Sequence, residues 1–352
     1  MSLNLYSRKN PYMAKIQKRY RLNSPLSSKD VYHLTLDLRG SGIEYSPGDA
    51  LGVIPFNDFE TIERVLSHFK FKDEKEREEA KEILKHKDIR VSYGLAEEFQ
   101  SITENSDNGD NIDIMEILKR ARGKIDFENF ISLLRPITPR LYSIASSPID
   151  KPEEIDLTIA VEKYTIGGKE YGGLCTNFLL DGKIKIGDKV PIFLHKNSSF
   201  RLPEKSCDII MVGPGTGIAP FRSFIKERQL TKDCGRNWLF FGSRTRDHDF
   251  YYKEELLQWE EEGHLQLDTA FSREGKEKFH VQDRMMEKSY EIWKWIENGS
   301  YIYICGDASR MAKAVDNALK IILVDEGSMT LEEADFFMRS LKKEGRYCRD
   351  VY

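Results

Sequence analysis

The sequence predicts an antiparallel β-barrel, interrupted by a helical insertion and followed by a parallel α/β domain. Two observations carry that expectation. Short apolar runs broken by turn residues open the chain and return after Pro139, with helix-period segments between them. Beyond Glu204, strand-like and helix-like runs alternate, which is the pattern of a parallel sheet covered on both faces.

In chain order, AKIQKRYRL, VYHLTLDL and ALGVIP lie between Met13 and Phe56, and each is short enough for a barrel strand. Asn23-Ser24-Pro25, Gly40-Ser41-Gly42 and Ser46-Pro47-Gly48-Asp49 supply the turns. From about 57 to 134 the period becomes helical. Phe59, Ile62, Val65, Leu66 and Phe69 fall on one helix face. Ile112, Met115 and Leu118, then Phe127, Phe130 and Leu133, repeat that spacing. Strands resume with LYSIAS, IDLTIAVEKY and KVPIFLHK. Then CDIIMVG, NWLFFG, LQLDTAF and YIYICG alternate with the helical runs APFRSFIKERQL, DFYYKEELLQWEEEG, VQDRMMEKSYEIWKWIENG and ASRMAKAVDNALKIILVDEG. The regimes change at Pro203-Glu204, giving domains of 10–204 and 205–352 with a Rossmann-like second half.

Composition excludes several classes. The 352 residues carry 54 Lys plus Arg against 58 Asp plus Glu, a net charge of −4, which argues against a protein that grips nucleic-acid phosphate. Hydrophobic residues at 40% are enough for ordinary cores and rule out a disordered chain. The five cysteines form no CxxC pair and are odd in number, so they read as free thiols of a reducing compartment. The opening MSLNLYSRKN has no apolar signal region, and no apolar run reaches the length of a membrane span; a cytoplasmic protein is expected.

Three groups of residues point to chemistry. Gly213-Pro214-Gly215-Thr216-Gly217-Ile218-Ala219-Pro220 follows an apolar strand and opens a helix, where glycines admit a phosphate and the helix start offers free N–H groups. As a bare pattern it also fits a tight strand–helix turn. No clean acidic residue follows to hold a ribose 2′-hydroxyl. Instead Ser243-Arg244 and Ser272-Arg273 end two strands, with Lys276 and Lys278 nearby, which favours NADP(H) over NAD(H). Taken alone, such a basic cluster is more often a solvated loop. Arg140-Leu141-Tyr142-Ser143 places an Arg, an aromatic ring and a hydroxyl where the barrel strands resume, a set able to pair a diphosphate and stack on a flat ring.

Ordered along the chain, Arg140-Leu141-Tyr142-Ser143-Ile144-Ala145-Ser146-Ser147, Gly213 to Arg222, Tyr303-Ile304-Cys305-Gly306-Asp307 and Arg349-Asp350-Val351-Tyr352 resemble the FAD/NADPH half of the diflavin reductases. These belong to the ferredoxin–NADP reductase superfamily, and the sulfite reductase flavoprotein branch fits best. Pro47-Gly48-Asp49-Ala50-Leu51-Gly52-Val53, Phe200-Arg201-Leu202-Pro203 and Asn237-Trp238-Leu239-Phe240-Phe241-Gly242 extend the resemblance, which runs from about Asn10 to Tyr352.

The resemblance implies an FAD-binding barrel and an NADP-binding second domain, with FAD and NADPH as cofactors and no metal. For FAD it implies Arg140 on the diphosphate, with Leu141 beside it, Tyr142 against the isoalloxazine and Ser143 close to N5. Thr158, Ile159 and Ala160 would pass the flavin, Tyr164 would contact the cofactor, and Gly173, Leu174, Cys175 and Thr176 would cradle the diphosphate. Tyr352 would cover the flavin's second face. For NADP it implies Gly215, Thr216 and Gly217 at the diphosphate, with Arg244, Ser272, Arg273, Lys278, His280 and Gln282 around the 2′-phosphate. Ser143, Cys305 and Asp350 would surround the point of hydride transfer from nicotinamide C4 to flavin N5. His280 stands where the family commonly has tyrosine, and Ala314 where it often has aspartate.

No flavodoxin-like FMN module is read before Asn10 and no iron–sulfur ligand set is found, so electrons are expected to leave to a separate flavodoxin, ferredoxin or sulfite reductase haemoprotein. The competing reading is a non-catalytic nucleotide-binding or scaffold subunit of a reductase complex. The retention of Ser143, Cys305, Asp350 and Tyr352 together weighs against it.

Overall fold

The computed structural model describes residues 6–89, 91–93, 111–121, 125–166, 169–204, 206–231 and 235–352. The chain forms two compact units: Met1–Gly52 with Leu141–Ala160 and Ile186–Tyr352, and Val53–Arg140 with Val161–Lys185. The first unit therefore contains most of the barrel together with the whole parallel sheet.

The barrel sheet is built from β1 (Tyr12–Arg21), β2 (Val31–Asp37), β3 (Ala50–Val53), β6 (Arg140–Ser143), β7 (Glu154–Ala160) and β10 (Lys189–His195). Their order is β6-β3-β10-β1-β2-β7. Alternation sends Ala14 and Ile16 of β1 and Leu34 and Leu36 of β2 into the core. The sheet closes on itself just past β6: Ile144 bridges Leu157 of β7, and the Ala145 N–H donates to the Asp156 carbonyl at 2.8 Å. Closure removes the exposed sheet edges.

Among the described residues the second unit holds five helices, of which α1 (Phe59–Leu66), α2 (Glu74–Lys85), α3 (Ile114–Ala121) and α4 (Phe127–Leu133) come first. Asp58, Asp73 and Asp126 start three of them, each accepting from a backbone N–H of the first turn. Ile62, Val65, Leu66, Leu84, Ile117, Leu118 and Phe130 form its core. Two sequence expectations are corrected here. Phe59 is 66% exposed, with the Lys81 ammonium over its ring, because it begins α1 on the solvent side of the buried stripe. Ile112 lies in β5 (Asn111–Asp113), paired antiparallel with β4 (Val91–Tyr93), so the helix starts only at Ile114. The run IDLTIAVEKY also divides: β7 ends at Ala160, and β8 (Lys163–Ile166) pairs with β9 (Lys169–Gly172) before the short helix α5 (Leu174–Leu180).

The parallel sheet has five strands: β11 (Ile209–Val212), β12 (Asn237–Ser243), β13 (Gln266–Phe271), β14 (Tyr301–Gly306) and β15 (Tyr347–Val351), ordered β13-β12-β11-β14-β15. The first four match the apolar runs; β15 is an addition that periodicity did not announce. Ile210, Val212, Trp238, Phe240, Ile302 and Ile304 face one helical layer. Ile209, Met211, Leu239, Phe241, Tyr303 and Cys305 face the other. Burial on both faces is why these strands read as continuous apolar runs. The segment 281–299 forms two helices, Val281–Glu287 and Ser289–Glu297, divided at Lys288, where one was expected.

Within the first unit, Arg222 on α6 (Ile218–Leu230) ties the parallel sheet to the barrel. Its guanidinium donates to the Ala145 carbonyl at 2.7 Å, to Asp156 Oδ2 at 3.1 Å and to Glu255 Oε2 at 2.6 Å. Asp156 is fully buried. Burial alone would raise its carboxyl, but hydrogen bonding to His33 and the charges of His33, Arg222 and Lys151 outweigh that and hold it well below the usual carboxylate range.

Gly48, at φ +92, approaches the connector after β10 so closely that a Cβ would lie 1.8 Å from the Phe200 carbonyl oxygen. Gly40 has φ +78 and open space around it. Gly40→Ala should therefore cost about 1 kcal/mol, the conformational penalty alone. Gly48→Ala should cost at least about 2 kcal/mol more, from the clash with backbone. Urea unfolding of the two full-length variants checks the difference.

Candidate functional site

At the C-terminal ends of the parallel strands, β14 and β15 pair in a register that sets Cys305 beside Asp350. Ser143, the last residue of β6, comes from the barrel to meet them. Its hydroxyl donates to Asp350 Oδ2 at 2.8 Å. Cys305 is fully buried. Burial first, and then the Asp350 charge, push its thiol well above the ordinary cysteine range, against a hydrogen bond with Ser143 that works the other way. Burial and the neighbouring carboxylate thus favour the neutral thiol, which packs in the core and is a poor nucleophile. The structure brings together the three residues expected at one point.

The glycine loop lies against the same strand end. After β11 it makes one tight turn over Gly215–Gly217 and runs into the 13 residues of α6. Gly217 rests on β14 so closely that a Cβ would sit 2.1 Å from the Cys305 carbonyl oxygen. Gly215, at φ +60, has no atom within 4 Å of where its Cβ would be, so its backbone is open to a ligand. Thr216 Oγ1 and the Tyr352 hydroxyl lie 2.8 Å apart. The Tyr352 N–H donates to the Gly306 carbonyl, and its own carbonyl accepts from Ala308. The chain end is therefore pinned, with its ring 58% exposed.

The strand ends carrying Arg244 and Arg273 meet, and the loop after β1 joins them. Ser272 and Arg273 donate their N–H groups to the Ser243 and Arg244 carbonyls at 2.9 Å, so the ends of β12 and β13 form one ledge. Arg244 Nη1 bonds Ser28 Oγ of the β1–β2 loop. Lys29, next in that loop, is exposed overall, yet partial desolvation of its ammonium and the charges of Arg244 and Arg273 lower its pKa, with Asp249 opposing. Among the described residues Lys29, Arg244 and Arg273 make no ion pair, so the ledge holds positive charge that a phosphate dianion would offset. Sequence reading missed Ser28 and Lys29: SSKD between two strands looks like any solvated turn. Lys278, His280 and Gln282 follow on the same segment. Lys278 is exposed; the His280 N–H donates to Asp283 Oδ2 at 2.7 Å, and the Gln282 amide reaches the same oxygen at 3.4 Å.

The residues matched to FAD are placed in both units. In the second, Arg140 Nη2 pairs with Glu162 Oε1, while the Glu162 carbonyl accepts from Gly173 N–H at 2.9 Å. Gly173 starts α5, Thr176 Oγ1 donates back to its carbonyl at 3.0 Å, and Leu174 is half-buried above a buried Cys175. Tyr164 stacks on Tyr171 across the β8–β9 hairpin, centroids 5.9 Å apart. In the first unit, Leu141 is 45% exposed and Tyr142 half-buried. Thr158 is buried with its hydroxyl 2.8 Å from that of Tyr252, and Ile159 is fully buried. These two can offer a ligand only their backbone, as the half-buried Ala160 also does. Within the second unit, an exposed guanidinium and a glycine helix start are donors that fit a dinucleotide's phosphates.

Such an arrangement, an antiparallel barrel joined to a parallel sheet with a glycine loop at its strand ends, defines an FAD- and NAD(P)-binding oxidoreductase. Residues 5–93 and 73–178 match the FAD binding domain family, and residues 211–317 the oxidoreductase NAD-binding domain family. Over 99% of its length the chain is similar to proteins named sulfite reductase (NADPH) flavoprotein alpha-component. It is 39% identical to that of Mannheimia succiniciproducens, 38% to that of Aliivibrio fischeri and 37% to that of Bacillus subtilis. It spans 62%, 61% and 62% of those relatives, about three fifths of their length. The chain belongs to the flavoproteins that join an FAD binding domain to an oxidoreductase NAD-binding domain. Among the described residues no helix is long and apolar enough to cross a membrane.

The buried, neutral Cys305 gives a direct test of the site's geometry. At about pH 8.5, where an ordinary thiol is half ionised, iodoacetamide should label Cys305 at least about tenfold more slowly than half-buried Cys207. Mass spectrometry of the intact, folded chain reads both rates.

Proposed function

We propose that the chain takes hydride from NADPH onto bound FAD and passes electrons singly to a separate protein acceptor. The observation that carries this reading is the meeting of Ser143, Cys305 and Asp350 beside the glycine loop. Bound FAD supplies the hydride acceptor and the change from a two-electron donor to one-electron transfers. The chain's residues bind, orient and stabilise. Ser143 presents a hydroxyl to the flavin N5 region, already oriented by its bond to Asp350. Cys305, uncharged and immobile, shapes the wall against which a nicotinamide ring packs. Asp350 offsets positive charge on that ring as hydride leaves.

FAD is held by Arg140, Leu141, Tyr142, Ser143, Thr158, Ile159, Ala160, Tyr164, Gly173, Leu174, Cys175, Thr176 and Tyr352. NADP is held by Gly215, Thr216 and Gly217 at the diphosphate and by Arg244, Ser272, Arg273, Lys278, His280 and Gln282 at the 2′-phosphate. The unpaired charge of Arg244, Arg273 and Lys29 supports that second assignment. The two functions divide at residue 204, with about 57–134 as an insertion in the FAD part. The acceptor is a flavodoxin, a ferredoxin or a sulfite reductase haemoprotein; the likeness to sulfite reductase components favours the last. The four described cysteines, none in a disulfide, support a reducing, cytoplasmic setting.

Side-by-side reduction of the three acceptors by the FAD-loaded chain with NADPH identifies the partner. If none is reduced, the electron-transfer reading fails. Arg273→Ala should lower kcat/KM for NADPH at least about tenfold, the loss of one charge-assisted phosphate contact, and change that for NADH less than about twofold. Asp350→Ala should slow flavin reduction by about 10²–10³ while FAD stays bound. Stopped-flow absorbance and extracted flavin check the two halves of that statement.

A further inference from the structure

Ser143 belongs to the barrel, whereas Cys305 and Asp350 belong to the parallel sheet, so their spacing is set by what joins the two. A continuous run of contacts does this on the sheet face covered by α6. The Ile144 N–H, next to Ser143, donates to the Asp49 carbonyl at 3.0 Å. The Asp49 carboxylate is buried and accepts from Ser46 N–H and Asn197 N–H, both at 2.9 Å, and from the Arg201 guanidinium. Arg201 Nη1 also reaches the Pro47 carbonyl at 3.1 Å. The Arg201 carbonyl in turn accepts from the Tyr303 hydroxyl at 2.6 Å. Tyr303 lies on β14, two residues before Cys305 and on the same face of the sheet.

We propose that Tyr303, Arg201 and Asp49 are positioning residues that fix Ser143 against Cys305 and Asp350. The inference rests on the reading of those three as the hydride-transfer point. Each joint is firm for a physical reason. Tyr303 is fully buried, edge-on to Phe200 and Phe224 at 5.4 and 5.2 Å, so its ring cannot swing. Burial raises its hydroxyl far above the usual range, which keeps it a neutral donor. Asp49 satisfies both oxygens with fixed donors. The Gly48 turn lies flush on the Phe200 backbone, so the connector carrying Arg201 cannot slide past the turn carrying Asp49. Hydride transfer is sensitive to sub-ångström spacing; a misplacement of about 1 Å can cost roughly 10²-fold in rate. Groups that never touch the cofactor can therefore set the rate.

The test compares wild type, Tyr303→Phe, Ser143→Ala and the double variant. Tyr303→Phe removes one oxygen and takes from the Arg201 carbonyl its hydroxyl donor. Two readouts are taken on the full chain: the rate of flavin reduction by NADPH in the FAD-loaded protein, and iodoacetamide labelling of Cys305 followed by mass spectrometry. Tyr303→Phe is expected to slow reduction about tenfold, and to speed Cys305 labelling about fivefold with labelling of buried Cys175 unchanged. In the Ser143→Ala background the same change should slow reduction less than about twofold, because the brace acts through Ser143. Multiplicative effects in the double variant, unchanged Cys305 labelling, or an equal rise at Cys175 would each overturn the proposal; the last would mean general loosening. If Ser143→Ala reduces at the wild-type rate, the hydride-site reading fails, and Cys305 labelling alone then decides whether the brace holds the seam. Should Tyr303→Phe fail to fold, Arg201→Lys, which keeps a cation for Asp49 and loses the Pro47 contact, is expected to give the same two changes; wild-type values in it overturn the proposal.

Discussion

The hydrogen bond from Ser143 to Asp350 joins residues 207 apart in sequence and two sheets of different architecture. For it to form, the barrel must close so that β6 ends where it does, and the parallel sheet must add β15 in register with β14. The glycine loop must also lie flat on the end of β14, which Gly217 permits because no side chain intervenes. Arg222 and the buried Asp156 hold the same two parts together a short way off, at the cost of desolvating a charge network whose members satisfy one another. The barrel and the parallel sheet thus form one unit with its chemistry at the seam.

Charge is distributed along that seam according to task. Where the 2′-phosphate is proposed to bind, Lys29, Arg244 and Arg273 gather without ion-pair partners among the described residues, and partial desolvation, then the charges of Arg244 and Arg273, lower the Lys29 pKa. Where a ring is to react, the one thiol present is kept neutral by burial and by the Asp350 charge. The single carboxylate there is oriented by a hydroxyl.

Much of this was legible before any coordinates. The three central parallel strands, β12, β11 and β14, are apolar on both faces and could hardly be read otherwise, and the glycine loop and the basic strand ends fell where turn chemistry put them. What periodicity could not show has common physical causes. β15, YCRDV, is a five-residue edge strand with a charge pair in its middle, so only the resemblance of its last residues drew attention to it. The hairpins β4–β5 and β8–β9 are three or four residues long, below the length at which alternation becomes a signal. Phe59 fits a helical stripe by spacing, but a stripe does not say where it stops, and a helix's first residue can point outward. Lys29 and Tyr303 were missed for opposite reasons: one sits in a polar loop like any other, and the other is one more aromatic in an apolar strand. Their roles exist only through partners remote in sequence.

The central claim is that the convergence of Ser143, Cys305 and Asp350 marks the place where a nicotinamide hands hydride to FAD. Anaerobic mixing of the FAD-loaded chain with NADPH deuterated at one or the other C4 position tests it most directly, with bleaching of the flavin band as the signal. A fixed nicotinamide face is expected, so deuterium at one position should slow bleaching and deuterium at the other should not. Bleaching slowed equally by both, or no bleaching at all, would contradict the account.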